Sequence, residues 1–202
     1  MIKRRTPFAA AAAFLVLTLP VSADQISLDD LSAYLNRLKT AQADFTQIND
    51  DGTISTGKLM LKRPGRMRFE YASPDNTLVL ASSGAVAIYD PKTPDNGPET
   101  YPLNQTPLSI ILNERVDLAR ANMVVGHDYD GTATTITAQD PDHPEYGNLQ
   151  LVFTGDPVQL RQWVINDDAG SSTTVVLGAM KTGVALNNRL FTITQPDLRD
   201  NR

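Results

Sequence analysis

After Ala43 the apolar residues recur at every second position, in short runs broken by turn formers, and this confines most of the chain to β structure. Leu59 and Leu61 alternate with Lys58, Met60 and Lys62, and Met67, Phe69 and Tyr71 alternate with Arg66, Arg68 and Glu70. Further strand-like runs are Leu78–Ala81, Val86–Tyr89, Met123–Tyr129, Thr132–Ala138, Leu149–Phe153, Leu160–Ile165, Thr173–Leu177 and Leu190–Thr194. Asp51-Gly52, Ser83-Gly84, Asp130-Gly131 and Asp168-Ala169-Gly170 mark reversals between them. Strands joined by such short turns form antiparallel meanders, so one large, strongly curved antiparallel sheet of roughly ten strands is expected.

Two segments break the pattern. In residues 28–41, Leu28, Leu31, Leu35 and Leu38 fall at helical spacing with polar residues on the other faces. Ser27 is suited to the N-cap, with Asp30 three places on as in a capping box. Midway, Pro91 to Pro102 reads as a loop, after which Thr106 and Pro107 open a short helix carrying Leu108, Ile110, Ile111 and Leu112. A second short helix is expected from Glu114 to Ala119. A sheet with one apolar face must cover it. Two or three short helices over so many strands would leave a lined hollow under a lid, a candidate apolar ligand site. The same side chains could equally pack a dry core, and pattern alone favours that.

The N-terminus bears on location. Lys3, Arg4 and Arg5 precede an apolar run from Pro7 to Leu19, and Val21-Ser22-Ala23 supplies small residues before Asp24. This is the layout of a secretory signal peptide over residues 1–23, cleaved after Ala23, and its apolar run is short for a membrane span. One domain is then expected over residues 24–202. Its removal takes three of the 18 bases and none of the 23 acids, leaving 15 against 23 and a net charge of −8. Such a balance argues against a nucleic-acid partner. The chain has no cysteine, which excludes disulfides and lipid attachment to an N-terminal cysteine, so a freely diffusing exported protein is expected.

Enzyme chemistry finds little support. His127 and His143, the only histidines, lack the partners of a metal site, and no metal or cofactor is expected. Ser82-Ser83-Gly84 lacks the flanking glycines of a nucleophile elbow. Asp50-Asp51-Gly52 begins like a calcium loop, but Thr53, Ile54 and Ser55 follow, so a hairpin turn is expected. Asp140-Pro141-Asp142 and Asp167-Asp168 read as solvated turns.

The stretch Leu59-Met60-Leu61-Lys62-Arg63-Pro64-Gly65-Arg66-Met67-Arg68-Phe69-Glu70-Tyr71 resembles the LolA family of periplasmic carriers of outer-membrane lipoproteins. Supporting pieces occur in the family's order: Phe45-Thr46-Gln47, Gly57, Pro74-Asp75, Ser83-Gly84 before Ile88-Tyr89-Asp90-Pro91, Thr106-Pro107-Leu108, and Gly147-Asn148-Leu149. The resemblance implies an incomplete antiparallel β-barrel with a lid of short helices over an apolar cavity. It implies a periplasmic carrier that takes acylated lipoproteins from an inner-membrane ABC transporter, shields their acyl chains, and passes them to an outer-membrane acceptor or to the outer membrane itself. A monomer without catalytic activity is expected. A periplasmic lipid-binding or envelope-stress sensor module of the same fold is the alternative.

Under the resemblance, Arg63 matches the family's lid-latching arginine. Its parity with Leu59 and Leu61 turns it inward, where free carbonyls at the ends of the lid helices could accept its donors. Without the resemblance, an arginine beside Pro64 reads as an exposed strand end. Leu59, Leu61, Met67, Phe69 and Tyr71 are the candidate cavity residues of the sheet. Leu108, Ile110, Ile111 and Leu112 are those of the mid-chain helix, and Leu31 and Leu35, with Leu28 and Leu38, those of the first helix. Two places depart from the family: the proline-rich loop from Lys92 to Glu99 and a short polar C-terminus beyond Gln195.

Overall fold

The computed structural model describes residues 24–93, 97–120 and 122–194. The segment read as a signal peptide, three residues of the proline-rich loop and the polar C-terminus lie outside the described residues.

Among the described residues the first element is helix α1 (Leu28–Arg37). The Ser27 hydroxyl accepts from the Asp30 amide at 3.1 Å and donates to the Asp30 carboxylate at 2.6 Å, so the cap forms through both groups. The helix ends four residues before the expected boundary. Thr40 is already paired with Lys62, and this pairing takes the chain from Thr40 onward into strand β1 (Thr40–Ile48).

Strands β2 (Ile54–Lys62), β3 (Arg66–Tyr71), β4 (Leu78–Ser82) and β5 (Ala85–Tyr89) continue the meander outward from β1. Strand β6 (Glu99–Pro102) adds to its edge, within the stretch read as a loop. Its one proline, Pro102, does not prevent this, because an edge strand needs hydrogen bonds on one side only. The chain then crosses to the opposite edge. There β7 (Val124–Tyr129), β8 (Ala133–Gln139), β9 (Asn148–Thr154), β10 (Gln159–Asn166) and β11 (Ser172–Leu177) meander back until β11 pairs with β1. The two-residue β12 (Lys181–Thr182) pairs with β1 beyond it. The result is a twelve-stranded antiparallel sheet whose edges, β6 and β7, are not paired with each other.

That topology dictates a lid. Residues 103–123 connect opposite edges of one sheet, so they must cross its open side, and they carry helix α2 (Leu108–Leu112). One apolar cluster draws on both halves of the sheet and on both helices, so the sheet curls around a shared interior. Its members follow the expected parity, with Leu59, Leu61, Met67 and Phe69 all buried.

Three local expectations fail for identifiable reasons. Thr106 does not cap α2. Its hydroxyl donates to the Leu103 carbonyl at 2.8 Å, closing a 3-10 turn (Leu103–Gln105), and Pro107 stands before the helix without a side-chain cap. Residues 114–119 form no helix, because α1 has captured their backbone. The Asn36 side chain donates to Val116 O at 2.7 Å and accepts from Val116 N at 3.0 Å, while Ser32 Oγ accepts from Leu118 N at 2.9 Å. The Leu190–Thr194 run is not a strand either. A 3-10 turn (Asn188–Phe191) lies on the outer face, where the Arg68 guanidinium donates to Leu190 O at 2.9 Å. Register aligns Arg68 with Leu80 and Leu80 with Ala87, so these two buried residues occupy that outer face and need this cover.

Candidate functional site

The interior between sheet and lid is the site that the apolar pattern pointed to. Leu31 and Leu35 of α1 are fully buried, as is Ile111 of α2, with Ile110 and Leu112 nearly so. Leu28, Leu108 and Tyr71 are partly buried and pack against the same cluster. A small gap remains where Leu59 and Leu61 face Ile111, bounded also by Leu38, Ala41, Ala43, Leu160, Trp163 and Met180. Its volume is about 10 Å³, room for about one water, against roughly 300–1,000 Å³ for a typical small-molecule site. Side chains therefore fill the space beneath the lid at this point, where a lined hollow was expected.

Of the expected residues, Leu59, Leu61, Leu38 and Ile111 border the gap itself. Met67, Phe69, Tyr71, Leu31, Leu35, Leu108, Ile110 and Leu112 belong to the surrounding cluster. Sequence reasoning missed Trp163, Leu160 and Met180. Trp163 lies in a run already read as a strand and is the chain's one tryptophan. Strict alternation, however, puts Leu160 and Trp163 on opposite faces. A register shift between Leu160 and Gln162 brings both inside.

An aromatic row leads outward from the gap. Phe69 meets Trp163 edge to face at 6.1 Å, Phe45 meets Phe69 at 5.3 Å, and Phe45 meets Tyr71 at 5.1 Å. Gly57 pairs in register with both Phe45 and Tyr71. A Cβ there would stand 2.1 Å from the Glu70 carbonyl oxygen and 2.8 Å from the Phe45 ring, so only glycine lets the two rings close over it. The Tyr71 hydroxyl donates to Gln47 Oε1 at 2.6 Å, and burial pushes its pKa up to about 12.

Among the described residues the one charged group buried in this interior is Arg63, just past the end of β2 and 6% exposed. Its guanidinium donates to the carbonyl of Leu35, in the last turn of α1, and to that of Asn113, at the C-terminal end of α2. Helix C-termini leave such carbonyls without intrahelical partners, so a buried donor pair finds acceptors where the two helices end. The backbone of the same turn adds two bonds, Arg63 N to Lys39 O and Gly65 N to Leu112 O, both 2.8 Å. The β2–β3 turn thus holds the C-terminal ends of both lid helices. Nε of Arg63 has no partner, and burial lowers the pKa of the group from the ordinary arginine value.

The features proposed from composition as turns are turns. Asp51 accepts from the Thr53 amide at 2.9 Å in the β1–β2 connection, and Asp140 and Asp167 accept from backbone amides two to four residues on. His127 bonds the Ile26 carbonyl, and His143 the exposed Glu145. Among the described residues no cluster of acidic residues and histidines has metal-binding geometry. No described helix is long and apolar enough to cross a membrane.

The family described as outer membrane lipoprotein carrier protein LolA matches residues 36–194. The chain belongs to the LolA family. An outer-membrane lipoprotein carrier protein of Pseudomonas paraeruginosa is 25% identical over 199 residues, covering 95% of this chain and 94% of the relative. One from Azotobacter vinelandii is 24% identical over 188 residues, covering 90% of each. Among solved structures, a LolA superfamily protein from Nitrosomonas europaea is 10% identical with a TM-score of 0.44, covering 83% of this chain and 98% of the other. The LolA match begins at the last two residues of α1 and ends after the Asn188–Phe191 turn, so it spans the sheet, α2 and Arg63.

Proposed function

We propose that this protein is a periplasmic carrier that binds the acyl chains of lipoproteins released from the inner membrane and escorts them to the outer membrane. In this reading residues 1–23 are removed on export and residues 24–202 form one carrier domain. An inner-membrane ABC transporter supplies the cargo, and an outer-membrane acceptor or the membrane itself receives it. The task is one of solvation. A dozen methylenes per acyl chain, at about 0.8 kcal/mol each, amount to about 10 kcal/mol of exposure in water. A protein that hides them needs an apolar interior and no catalytic group.

The observation that carries the reading is Arg63. It is a buried cation set among leucines, and its acceptors belong to the two helices that cover the sheet. A permanently packed core gains nothing from such a group that a leucine would not supply, since desolvating a charge offsets much of the bonding. A lid that must close when empty and part when chains enter does gain, because the bonds are directional and break together. We assign Arg63 as the latch. Leu59, Leu61, Met67, Phe69, Tyr71 and the helix residues Leu31, Leu35, Leu108, Ile110, Ile111 and Leu112 become the lining of the opened cavity. Met67, with its flexible thioether, suits chains that make no fixed polar contact.

The test is to isolate the protein from the periplasm and identify what travels with it by mass spectrometry. Acylated lipoproteins are expected. Free lipid alone would favour a lipid sensor, and the absence of any acylated companion would overturn the carrier reading.

A further inference from the structure

Trp163 does not fit a role limited to packing. It is the chain's only tryptophan and is 1% exposed, on β10 with Leu151 and Val175 across the sheet on either side. Its Nε1 has no hydrogen-bond partner, and among the described residues only Arg63 Nε shares that condition. The neighbours around the gap, Leu59, Leu61, Ile111, Leu160 and Met180, offer no oxygen or nitrogen side-chain acceptor. The Phe69 ring packs edge to face against it, and a π face is at best a weak substitute for an oxygen. Buried indole N–H groups normally find an acceptor, and leaving one unpaired is destabilising. Phenylalanine would fill much of the same space without that defect.

A donor left empty in the closed state has a use if the occupant of the opened cavity brings an acceptor. An ester-linked acyl chain does so. Its hydrocarbon matches the leucine walls, and its ester carbonyl is an acceptor that loses water on entry and needs a donor. We propose that Trp163 Nε1 donates to the ester carbonyl of the bound lipid, so that the carrier recognises the head of the acyl chain as well as its hydrocarbon. This rests on the carrier reading and assigns it a specificity-determining residue. The contact fixes how deep a chain is drawn in and disfavours ether-linked or plain hydrocarbon chains of equal length.

The experiment compares dioctanoylglycerol with its dioctyl diether, which lacks the two carbonyls, by calorimetric titration of the exported protein. One neutral hydrogen bond corresponds to a preference for the diester of about 3- to 10-fold. Hydrophobicity alone would favour the diether, so a diester preference requires a polar contact. Trp163→Phe changes the ring volume for both probes alike but removes the donor, and should abolish the preference. In the wild-type protein the fluorescence of the single indole should move to longer wavelength with the diester and not with the diether, a readout that holds even if the variant does not fold. Equal binding of the two probes by the wild type, or an undiminished preference in Trp163→Phe, would overturn the inference alone. Failure of both probes to bind would overturn it together with the carrier reading.

Discussion

Replacing Arg63 by leucine is the perturbation whose outcome depends most directly on the latch. Two hydrogen bonds from a charged donor are lost, those to Leu35 O and Asn113 O. Each is worth about 1.5–3 kcal/mol net. Those net values already include desolvation of the bonded groups, and the unpaired Nε, a buried donor without an acceptor, subtracts about 1–3 kcal/mol. A net preference for the closed lid of about 2 kcal/mol follows, and its loss raises the ratio of open to closed protein about 30-fold. In the proposed mechanism cargo binds the open form, so its apparent affinity should tighten by up to that factor, until opening is complete. The fold should survive, because the bonds from Arg63 N to Lys39 O and from Gly65 N to Leu112 O use backbone only. Competition binding with a fluorescent acyl probe measures the affinity, and a reconstituted transfer assay should show slower delivery. Arg63→Lys should fall between, since a compact ammonium lacks the fork that reaches two carbonyls. Unchanged or weaker affinity in Arg63→Leu, with the fold intact, would refute the latch.

Three further predictions test other parts of the site. Gly57→Ala places a methyl 2.1 Å from the Glu70 carbonyl oxygen; it should cost at least about 2 kcal/mol and lower the melting temperature by about 4–8 °C, and an unaltered melting curve would show that the strand yields there. Met67→Glu puts a carboxylate at a position 1% exposed, so acyl binding should be lost, and the stability deficit should grow with pH because burial favours the protonated acid. Normal binding and release by this variant would show that Met67 does not face the cavity. Tyr71 has its pKa raised from 10.0 to about 12, so the folded state holds the phenolic proton more tightly than the unfolded state. Its contribution is complete below pH 10 and should fade as pH rises toward about 12; denaturation followed against pH should show this decline, and Tyr71→Phe should flatten it.

Much of this molecule is legible in the linear pattern. Period-two alternation and the Asp-Gly and Ser-Gly turns identify antiparallel strands because neighbouring side chains must leave a strand on opposite faces. The same parity turns Leu59, Leu61, Met67 and Phe69 inward, and the leucines of α1 follow from helical spacing. Where reading by pattern failed, a distant partner intervened. Residues 114–119 carry a helical composition, yet Asn36 and Ser32 bond their backbone at Val116 and Leu118 and no helix forms. Glu99–Pro102 looks like a loop until β5 offers it an edge. Leu190–Thr194 alternates like a strand, but the available surface was the outer face over Leu80 and Ala87.

The alternating runs by themselves determined that this chain makes a large antiparallel sheet with one apolar face, because local geometry sets that periodicity. Two matters were decided only in three dimensions. The order of the strands, with β6 and β7 at opposite edges, makes the mid-chain segment a lid, since a chain that must cross an open sheet covers it. The meeting of Arg63 with the ends of both helices, from residues 28 and 50 positions away, ties the lid to the β2–β3 turn and is what the proposed latch rests on. No local pattern encodes a hydrogen bond whose donor and acceptors are brought together only by the curvature of the whole sheet.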